Sequence, residues 1–501
     1  MKKNVFMFTL CIVFVVSLAM GLITPGFAAD PPMDDFYTIG EMNKASLVML
    51  VEAGVVPKDL AATIAKSIKQ VIAEGNQPGA PRPSDYLVIE KSLMKVGGPD
   101  VTRVHSGRSR QDMLSTTNRM FLRQSLLDTY DSLNSLRDKV LTLASKNVDT
   151  IVPAYTWGVQ AQPTTFAHYL LALAAYLDRD AARYREAYAR INLSPLGAAA
   201  LGTTSFPINR DRLAELLGFD GLVVNSYDAN HRSSVDSKTE FASVIAVSAL
   251  AIGQFLEDLQ TQYHDPKPWF YLSRGQLTGG SSIMPQKQNP TAIVRLRALA
   301  SKVLGDAQST FLLAHNVNTG MFDYRLPEQT LEAAQGAATM YKNCGAIVDG
   351  LVVDKERALH EVENDYSTMT EVANELQREK DVPFRIGHHF AAELTLYGRE
   401  HDLRPVDIPY EEAKKIYKEA TKGEELPMTE AEFKAAMSPQ SMIAKSKGRG
   451  GPQPAEVERM LADGRKTLGD DVAWAKMQRS RLENASAKLQ EAFNKLAEAG
   501  N

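Results

Sequence analysis

Apolar side chains recur at the spacing of an amphipathic α-helix along most of this chain. The longest stretches of this pattern predict five helices, near residues 110–147, 164–191, 235–264, 290–314 and 327–353. Each is longer than the average helix of about 11–12 residues, and its apolar face is wider than one stripe. Such helices need several neighbours, so the pattern predicts a five-helix bundle that associates with copies of itself. A coiled coil is the competing interpretation, but regular heptads are not sustained.

On either side of these helices the pattern is broken into shorter pieces. Residues 46–53 and 58–73 have helical spacing, and a loop rich in proline and glycine follows at 77–83. A second loop is expected at 446–454, within a more polar C-terminal part. Further helices are predicted near residues 367–380, 385–400, 410–419 and 470–499. The sequence shows no internal repeat and no strand-rich region.

The first residues have the composition of an export signal. Two lysines precede an apolar run over residues 5–23, and Gly26 and Ala28 are small residues suited to cleavage after Ala28. This pattern predicts a signal peptide over residues 1–28 and a bacterial periplasmic location. Because the run is long for a signal peptide, an uncleaved membrane anchor is the alternative.

The length of 501 residues is enough for about two to four domains. We predict an all-α protein with an N-terminal helical domain over residues 29–109, a central helix bundle over 110–365 and a C-terminal helical domain over 366–501. A hydrophobic content of 44% and a charged content of 23% are ordinary for a soluble protein. The net charge is −4 and the basic residues are scattered, which argues against nucleic-acid binding.

Cys344 is the only cysteine after the predicted leader, because Cys11 lies within it. A single thiol allows neither an intramolecular disulfide nor a metal site built from cysteines. The helical and apolar surroundings of Cys344 predict a buried, unreactive thiol.

The strongest chemical signal is the segment 279–290, in which glycines and prolines surround hydroxyl, carboxamide and amine groups. Glycine permits positive φ and a close approach to a ligand, and proline prevents a helix from continuing. We expect an ordered, mobile loop that presents Ser281 and Ser282, with Lys287 and Asn289 behind them. A flexible linker or a structural turn is the alternative.

Two further segments place polar groups where a long helix is expected to begin. Residues 105–112 open the first long helix, where free N–H groups, the helix dipole and two arginines attract anions. A capped helix start with solvated arginines is the alternative there. Residues 153–166 are expected to form the loop before the second long helix. In that loop Thr156 and Gln162 have two interpretations, as hydrogen-bond partners of a substrate or as helix caps.

These segments together resemble a known family. The first resembles the GSSxMPxKxNP signature loop of the aspartase/fumarase superfamily and matches every fixed letter. Residues 107–112 resemble the GRSRND motif of argininosuccinate lyases, with Gln111 in place of asparagine. Residues 153–166 resemble the PGYTHLQxAQPxTF motif of the same family. Shorter matches follow near residues 195–208 and 382–385.

The resemblance implies an all-α, three-domain fold of the aspartase/fumarase type, with a central bundle of five long helices. It implies a homotetramer with a shared helical core, in which each active site combines motifs from three subunits. The implied partner is a small dicarboxylate or amino-acid substrate. Neither a metal nor an organic cofactor is implied, and no membrane contact is expected once the leader is cleaved.

The resemblance also implies roles for individual residues. Ser281, Lys287 and Asn289 are the implied catalytic residues, and Ser281 would act as the base in the form of an alkoxide. The implied substrate-binding residues are Ser282, Met284, Arg108, Ser109, Arg110, Gln111, Tyr155, Thr156 and Gln162. The family reaction is a β-elimination, in which a base removes a proton next to a carboxylate and a neighbouring C–N or C–O bond breaks. An unassisted hydroxyl is too weak an acid for this step, so loop N–H groups and Lys287 would have to lower its pKa.

Two positions depart from the family pattern. Trp157 occupies the place of the family's catalytic histidine, and Val294 occupies the place of the glutamate that pairs with it. His231 is a candidate for a substitute imidazole, and an ordinary surface or core histidine is the alternative. Trp157 would line the leaving-group pocket with an apolar face that tolerates a cation.

The loss of this pair bears on the reaction. A hydroxyl leaving group needs a proton, and general-acid help of about 10²–10⁴-fold would be missing. An ammonium or guanidinium leaving group needs no new proton, so the substitutions favour carbon–nitrogen cleavage of an N-substituted aspartate or an argininosuccinate-like substrate. The alternatives are a non-catalytic periplasmic binding or scaffold protein on the lyase fold, and a cycloisomerase-type activity.

Overall fold

The computed structural model describes residues 32–321 and 326–498. Within them the chain forms seventeen α-helices and three two-stranded sheets. The predicted all-α class is confirmed. The predicted signal peptide over residues 1–28 lies outside the described residues.

The N-terminal region consists of three helices, two of which begin at a capping aspartate. The Asp34 side chain accepts a hydrogen bond from the backbone N–H of Tyr37, and Asp85 accepts one from Leu87. The apolar faces of these helices join the start of the central bundle in one buried cluster. The elements are α1 (Asp35–Glu52), α2 (Lys58–Gly75), α3 (Tyr86–Gly97) and a 3₁₀ turn (Pro99–His105).

The central region contains five long helices with short elements between them. Its elements are α4 (Arg110–Ser145), β1 (Ile151–Thr156), β2 (Val159–Thr165), α5 (Phe166–Ile191), β3 (Leu193–Ser194), α6 (Arg210–Leu216), β4 (Gly221–Leu222), α7 (Ser226–His231), α8 (Ser233–Gln262), β5 (Phe270–Leu272), α9 (Thr291–Ala314), α10 (Glu328–Asp349) and β6 (Leu351–Val353).

The predicted five-helix bundle is confirmed. Helix α4 packs against α5 and α10, and α9 packs against α8 and α10, around one large cluster of buried apolar side chains. Cys344 lies in this cluster, and burial raises the pKa of its thiol to about 12, as expected for an unreactive cysteine. In the described part of the chain, α8 alone is long and apolar enough to cross a membrane, and more than half of its most apolar stretch is buried in the bundle.

Residues 153–166, which the sequence predicts to be a loop, form most of a β-hairpin. Strands β1 and β2 pair antiparallel through a two-residue turn at Trp157 and Gly158, whose φ angles are +55° and +76°. Two successive positive φ values are typical of a type I′ turn, whose twist matches that of paired strands. The alternation of polar and apolar residues is too short here, and too interrupted by prolines, to reveal the strands.

The other two sheets are small. Strand β3 pairs parallel with β4, and β5 pairs antiparallel with β6. The fifth long helix was predicted to extend to residue 353, but it ends at Asp349, and residues 351–353 enter the second of these sheets. Gly350 accounts for the change of direction, because glycine is a poor helix former.

The C-terminal region forms a smaller apolar cluster of its own, which extends from Met369 to Met437. Its helices are shorter than those of the bundle, and a final long helix follows them. The elements are α11 (Lys355–Glu363), α12 (Met369–Lys380), α13 (Phe384–Glu400), α14 (Tyr410–Ala420), α15 (Glu430–Ala436), α16 (Pro439–Lys445) and α17 (Pro454–Glu498).

Helix α17 is longer than the predicted helix over residues 470–499, because it begins at Pro454. Its buried side chains belong to other regions: Leu461 and Leu468 pack in the bundle, and Leu489 and Phe493 pack in the N-terminal cluster. From the sequence, this stretch is predicted to belong to the C-terminal domain. The first turns of α17 are polar and have only a narrow apolar stripe, so the helical pattern is weak between residues 454 and 470.

Candidate active site

The signature loop, residues 279–290, connects β5 to α9 and is closed at its base. Gly279 and Asn289 exchange two backbone hydrogen bonds, with N···O distances of 2.9 and 2.8 Å. A Cβ atom on Gly279 would lie 2.5 Å from the Thr291 Oγ1 atom, so a larger residue at this position requires Thr291 to shift. The loop is therefore an ordered closed loop, and the interpretation as a flexible linker is wrong.

Within the loop, the Ser281 hydroxyl is distinguished from its neighbour by backbone donors. Its Oγ accepts hydrogen bonds from the N–H of Met284 at 3.0 Å and from the N–H of Ile283 at 3.4 Å. Among the described residues, the exposed Ser282 hydroxyl has no hydrogen-bond partner. Two N–H donors on one oxygen stabilise negative charge there, which is what a serine base requires.

The other predicted site residues of the signature loop are Lys287, Asn289 and Met284. Lys287 is exposed, and its backbone N–H donates to the Met284 carbonyl at 3.1 Å. The Asn289 Nδ2 atom donates to the Gly280 carbonyl at 3.3 Å, which ties the two limbs of the loop together. The Met284 side chain is exposed above the loop.

At the start of α4, Ser109 is the N-cap. Its Oγ accepts from the Gln111 N–H at 3.2 Å, and its own N–H donates to Asp112 Oδ1 at 2.7 Å. The second carboxylate oxygen of Asp112 accepts from the N–H groups of Gly197 and Ala199, at 2.8 and 3.1 Å. Asp112 thus joins the helix start to the loop after β3. Its position three residues after a capping serine was the sequence signal for this role.

The charged side chains at this helix start differ in exposure. Arg108 is buried, and its guanidinium donates to Ser46 Oγ at 2.9 Å and to the Asn43 side chain, both on α1. It therefore holds the helix start against α1, and its contact with a substrate stays a prediction. Arg110 is exposed, and with Gln111 it lines a groove of about 650 Å³.

His105 is a neutral acceptor at this end of the molecule. Burial, then the positive charges of Arg108 and Arg110, lower its pKa to about 4. Its Nδ1 atom accepts from Arg108 Nε at 3.2 Å. A histidine that stays neutral and engaged in this way supports the arginine and does not act as a proton donor near neutral pH.

The hairpin carries the third group of predicted site residues. Tyr155, Thr156 and Gln162 are exposed, and Trp157 is fully exposed at the turn. The N-cap of α5 is Thr165, whose side chain accepts from the His168 N–H at 3.2 Å. The interpretation of Thr156 and Gln162 as helix caps is therefore wrong.

The structure does not bring all three groups together within one protomer. Helix α4 has 36 residues, which at 1.5 Å per residue is a length of about 54 Å. The Arg110 end lies at the start of this helix, and the hairpin follows its end. The signature loop lies at the hairpin end, because Trp269, just before β5, packs edge-on against Phe166 with ring centroids 5.8 Å apart.

Comparison with known proteins identifies the family of this chain. A family model described as Lyase matches residues 44–305, and one described as Argininosuccinate lyase C-terminal matches residues 366–444. Argininosuccinate lyases of Methanocaldococcus jannaschii and Bacillus mycoides are each 32% identical over 83% of this chain and cover 85% and 89% of their own length. The chain belongs to the argininosuccinate lyase family.

Solved structures of the same family agree. EDDS lyase, as a variant with bound fumarate and in complex with formate, superposes with a TM-score of 0.85 at 31% identity. The match covers 93% of this chain and 92% of that one. This argininosuccinate lyase family member is accordingly a carbon–nitrogen lyase of the aspartase/fumarase superfamily, which confirms the resemblance found in the motifs.

Both departures from the family pattern lie on the surface of this lyase. Trp157 is fully exposed, and Val294, in the first turn of α9, is 53% exposed. His231 is buried beside the Tyr227 ring, with centroids 5.0 Å apart. It directly precedes α8, whose first residue Ser233 accepts through its backbone carbonyl from Arg119 of α4 at 3.1 Å. His231 is thus a buried histidine near the Arg110 end, and it lies away from the hairpin of its own protomer.

Proposed function

We propose that this protein is an exported lyase that cleaves the C–N bond of an N-substituted aspartate or argininosuccinate-like substrate to give fumarate and an amine. The observation that carries the proposal is the pair of backbone donors on Ser281 Oγ. These donors stabilise an alkoxide, and they supply part of the pKa depression that proton abstraction by a serine demands.

The remaining loop groups suit the developing negative charge. After the base removes the proton next to the carboxylate, that carboxylate becomes a dianionic enediolate. The exposed ammonium group of Lys287 provides a positive charge for it. Asn289 uses one N–H on Gly280 and keeps hydrogen-bonding capacity for a ligand.

The kind of leaving group is inferred from the two positions at which the chain departs from the family pattern. Trp157 and Val294 offer no proton, so a leaving group that departs as a neutral amine from a protonated nitrogen suits this site better than a hydroxyl group. Residues 151–167 contain no formally charged side chain, so the hairpin presents an uncharged surface that includes the exposed Tyr155, Trp157 and Val159. Such a surface accepts a substituted ammonium through cation–π contact. EDDS lyase with bound fumarate supports fumarate as the other product.

We further propose that the active sites are shared between copies in a homotetramer. The length of α4 separates two of the three motif groups by about 54 Å, so one substrate can touch all three groups only if another copy contributes. Apolar side chains that lie exposed on α8 and α9 give such copies a contact surface. They are Leu250, Val294, Phe311, Leu312 and Leu313.

Export to the periplasm is proposed from the sequence of residues 1–28 alone. A periplasmic location suits a substrate other than the cytoplasmic intermediate argininosuccinate. The uncleaved anchor is the alternative to a released protein.

A non-catalytic binding or scaffold protein is the second candidate function. The loss of both members of the histidine–glutamate pair at Trp157 and Val294 favours it. The hydrogen-bonded Ser281 argues against it, since a scaffold has no need of a stabilised alkoxide. A cycloisomerase-type reaction is the third candidate and would give a lactone in place of fumarate.

The test is turnover by the purified protein and by two serine variants. We expect fumarate and a panel of amines to yield N-substituted aspartates by mass spectrometry, and those adducts to release fumarate in the reverse direction. Ser281→Ala should lower the rate by about 10²-fold or more, because the base is lost. Ser282→Ala is the matched control and should retain more activity. Ligand stabilisation without turnover would favour the scaffold, and lactone formation would identify a cycloisomerase.

A further inference from the structure

The segment that leads into the signature loop is fixed to the bundle. The Ser273 N–H donates to the Gly350 carbonyl at 2.8 Å, and the Leu277 carbonyl accepts from the Ala292 N–H at 3.0 Å. Leu272 is buried in the bundle cluster. Residues 272–277 therefore rest on the end of α10 and the start of α9, and they form a rigid base for the loop.

Beyond its closed base, the signature loop is held mainly by bonds to itself. The Met284 N–H bonds Ser281, and the Lys287 N–H bonds Met284. Among residues 281–288 of the described chain, Gln288 is the one residue whose side chain forms hydrogen bonds to a residue outside the loop.

The Gln288 side chain is hydrogen-bonded by Arg274, which belongs to the anchored segment 272–277. With the amide oriented so that its oxygen faces the guanidinium, Gln288 Oε1 accepts from Arg274 Nε at 2.6 Å and from Nη2 at 2.8 Å. The opposite orientation would point the amide N–H groups at two donors, so the guanidinium N–H groups determine which way the Gln288 amide faces. Two donors from one planar guanidinium on a single oxygen fix the direction of the side chain.

We propose that Arg274 is a positioning residue. Its two hydrogen bonds to Gln288, called the clasp below, hold the signature loop so that Lys287 and Asn289 face the substrate. This inference rests on the proposed function. Gln288 lies between Lys287 and Asn289 in the chain. Fixing the Gln288 side chain therefore limits the positions that both neighbours can take. Asn289 is restrained on its other side as well, since its Nδ2 atom donates to the Gly280 carbonyl.

The clasp acts on alignment more than on folding. Both Arg274 and Gln288 are exposed, and exposed side-chain pairs contribute little to the stability of a fold. Alignment of reacting groups is far more sensitive, because a displacement of about 1 Å can reduce the rate by about 10²-fold. A variant without the clasp should thus remain folded and lose turnover.

The experiment compares R274Q with the exchanged pair R274Q/Q288R in the full-length protein. In R274Q we expect faster amide hydrogen exchange confined to residues 281–289, a fall in kcat of about tenfold or more, a smaller change in KM, and an unfolding temperature within about 2 °C of the parent. In the double variant the donor and acceptor trade places, so slow exchange and kcat should recover together. R404Q is the control, because it removes an exposed arginine that makes a similar two-point contact with Asp407 on the C-terminal domain.

Unchanged exchange in R274Q, or a kcat loss that the exchanged pair does not restore, would overturn the proposal. Failure of the proposed function would look different, because either the parent would show no turnover or S281A would keep the parent's rate. In that case faster loop exchange in R274Q, reversed in the double variant, still supports the clasp as the element that holds the loop.

Discussion

At the residue scale, burial of single titratable groups shapes the Arg110 end of the site. Asp112 is fully buried and accepts three backbone N–H bonds, from Ser109, Gly197 and Ala199. Burial outweighs those bonds and raises its pKa to about 7. The carboxyl group that joins two segments of the site therefore titrates close to neutral pH.

Replacement of Asp112 by asparagine should change how stability depends on pH. The pKa of Asp112 in the folded protein, about 7, lies above its unfolded value of 3.8, so the folded state binds more protons between these values. As pH rises from 4 to 7, the free energy of unfolding of the parent should therefore fall relative to that of D112N. The size of the pKa shift implies a difference on the order of a few kcal/mol.

Denaturant unfolding of both proteins at several pH values measures this difference. Asp407 supplies a control, because its exposed partner Arg404 lowers its pKa and D407N should not alter the slope over this range. Parallel stability curves for the parent and D112N would show that Asp112 does not titrate there.

At the element scale, two short elements depend on backbone positions that few residues tolerate. The hairpin turns at Trp157 and Gly158 with positive φ at both, and the signature loop closes at Gly279, where a Cβ would lie 2.5 Å from the Thr291 hydroxyl. The sequence analysis predicted the loop from its glycines and prolines. It missed the hairpin, because strand pairing joins residues across a turn and leaves little periodic signal along the chain.

Substitution of Gly279 by alanine should open the base of the loop. The new Cβ would lie 2.5 Å from the Thr291 Oγ1 atom, so Thr291 has to shift, and the shift disturbs the neighbouring pair of Gly279 and Asn289. We expect faster amide exchange at Asn289 and a loss of turnover of about tenfold or more. Gly280→Ala is the matched control for exchange, because a Cβ there meets no atom within 4 Å. Equal exchange at Asn289 in both variants would contradict the prediction.

At the scale of the whole molecule, two long helices determine what the chain can assemble. Helix α4 keeps the Arg110 end about 54 Å from the hairpin end. Helix α17 runs back from the C-terminal region and packs in both other apolar clusters. Asp471 on α17 accepts from the fully buried Arg137 of α4 at 2.7 Å, which fastens the long helix to the bundle.

The separation along α4 predicts complementation between inactive variants. If the sites are shared, S281A and R110A protomers combined in one oligomer should form some sites in which both residues are intact. We expect each variant alone to be inactive and co-expressed variants to recover part of the parent activity. Native mass spectrometry would confirm that mixed oligomers are present. Mixed oligomers without activity would show that Ser281 and Arg110 serve the same subunit's site, and activity of R110A by itself would show that Arg110 is not needed.

The sequence by itself determined the long helices, the ordered signature loop and the class of reaction, because helical periodicity and a contiguous motif are encoded by neighbouring residues. The five bundle helices were predicted to within a few residues, and Ser281, Lys287 and Asn289 lie in one twelve-residue segment. Only the tertiary structure decided that Ser281 rather than Ser282 receives two N–H donors, because the exact turn of the loop backbone sets hydrogen-bond geometry. It also decided that Arg108 is buried against α1 and that α17 packs in both the bundle and the N-terminal cluster. The last two facts depend on contacts between segments far apart in the chain, where packing and not local pattern determines the outcome.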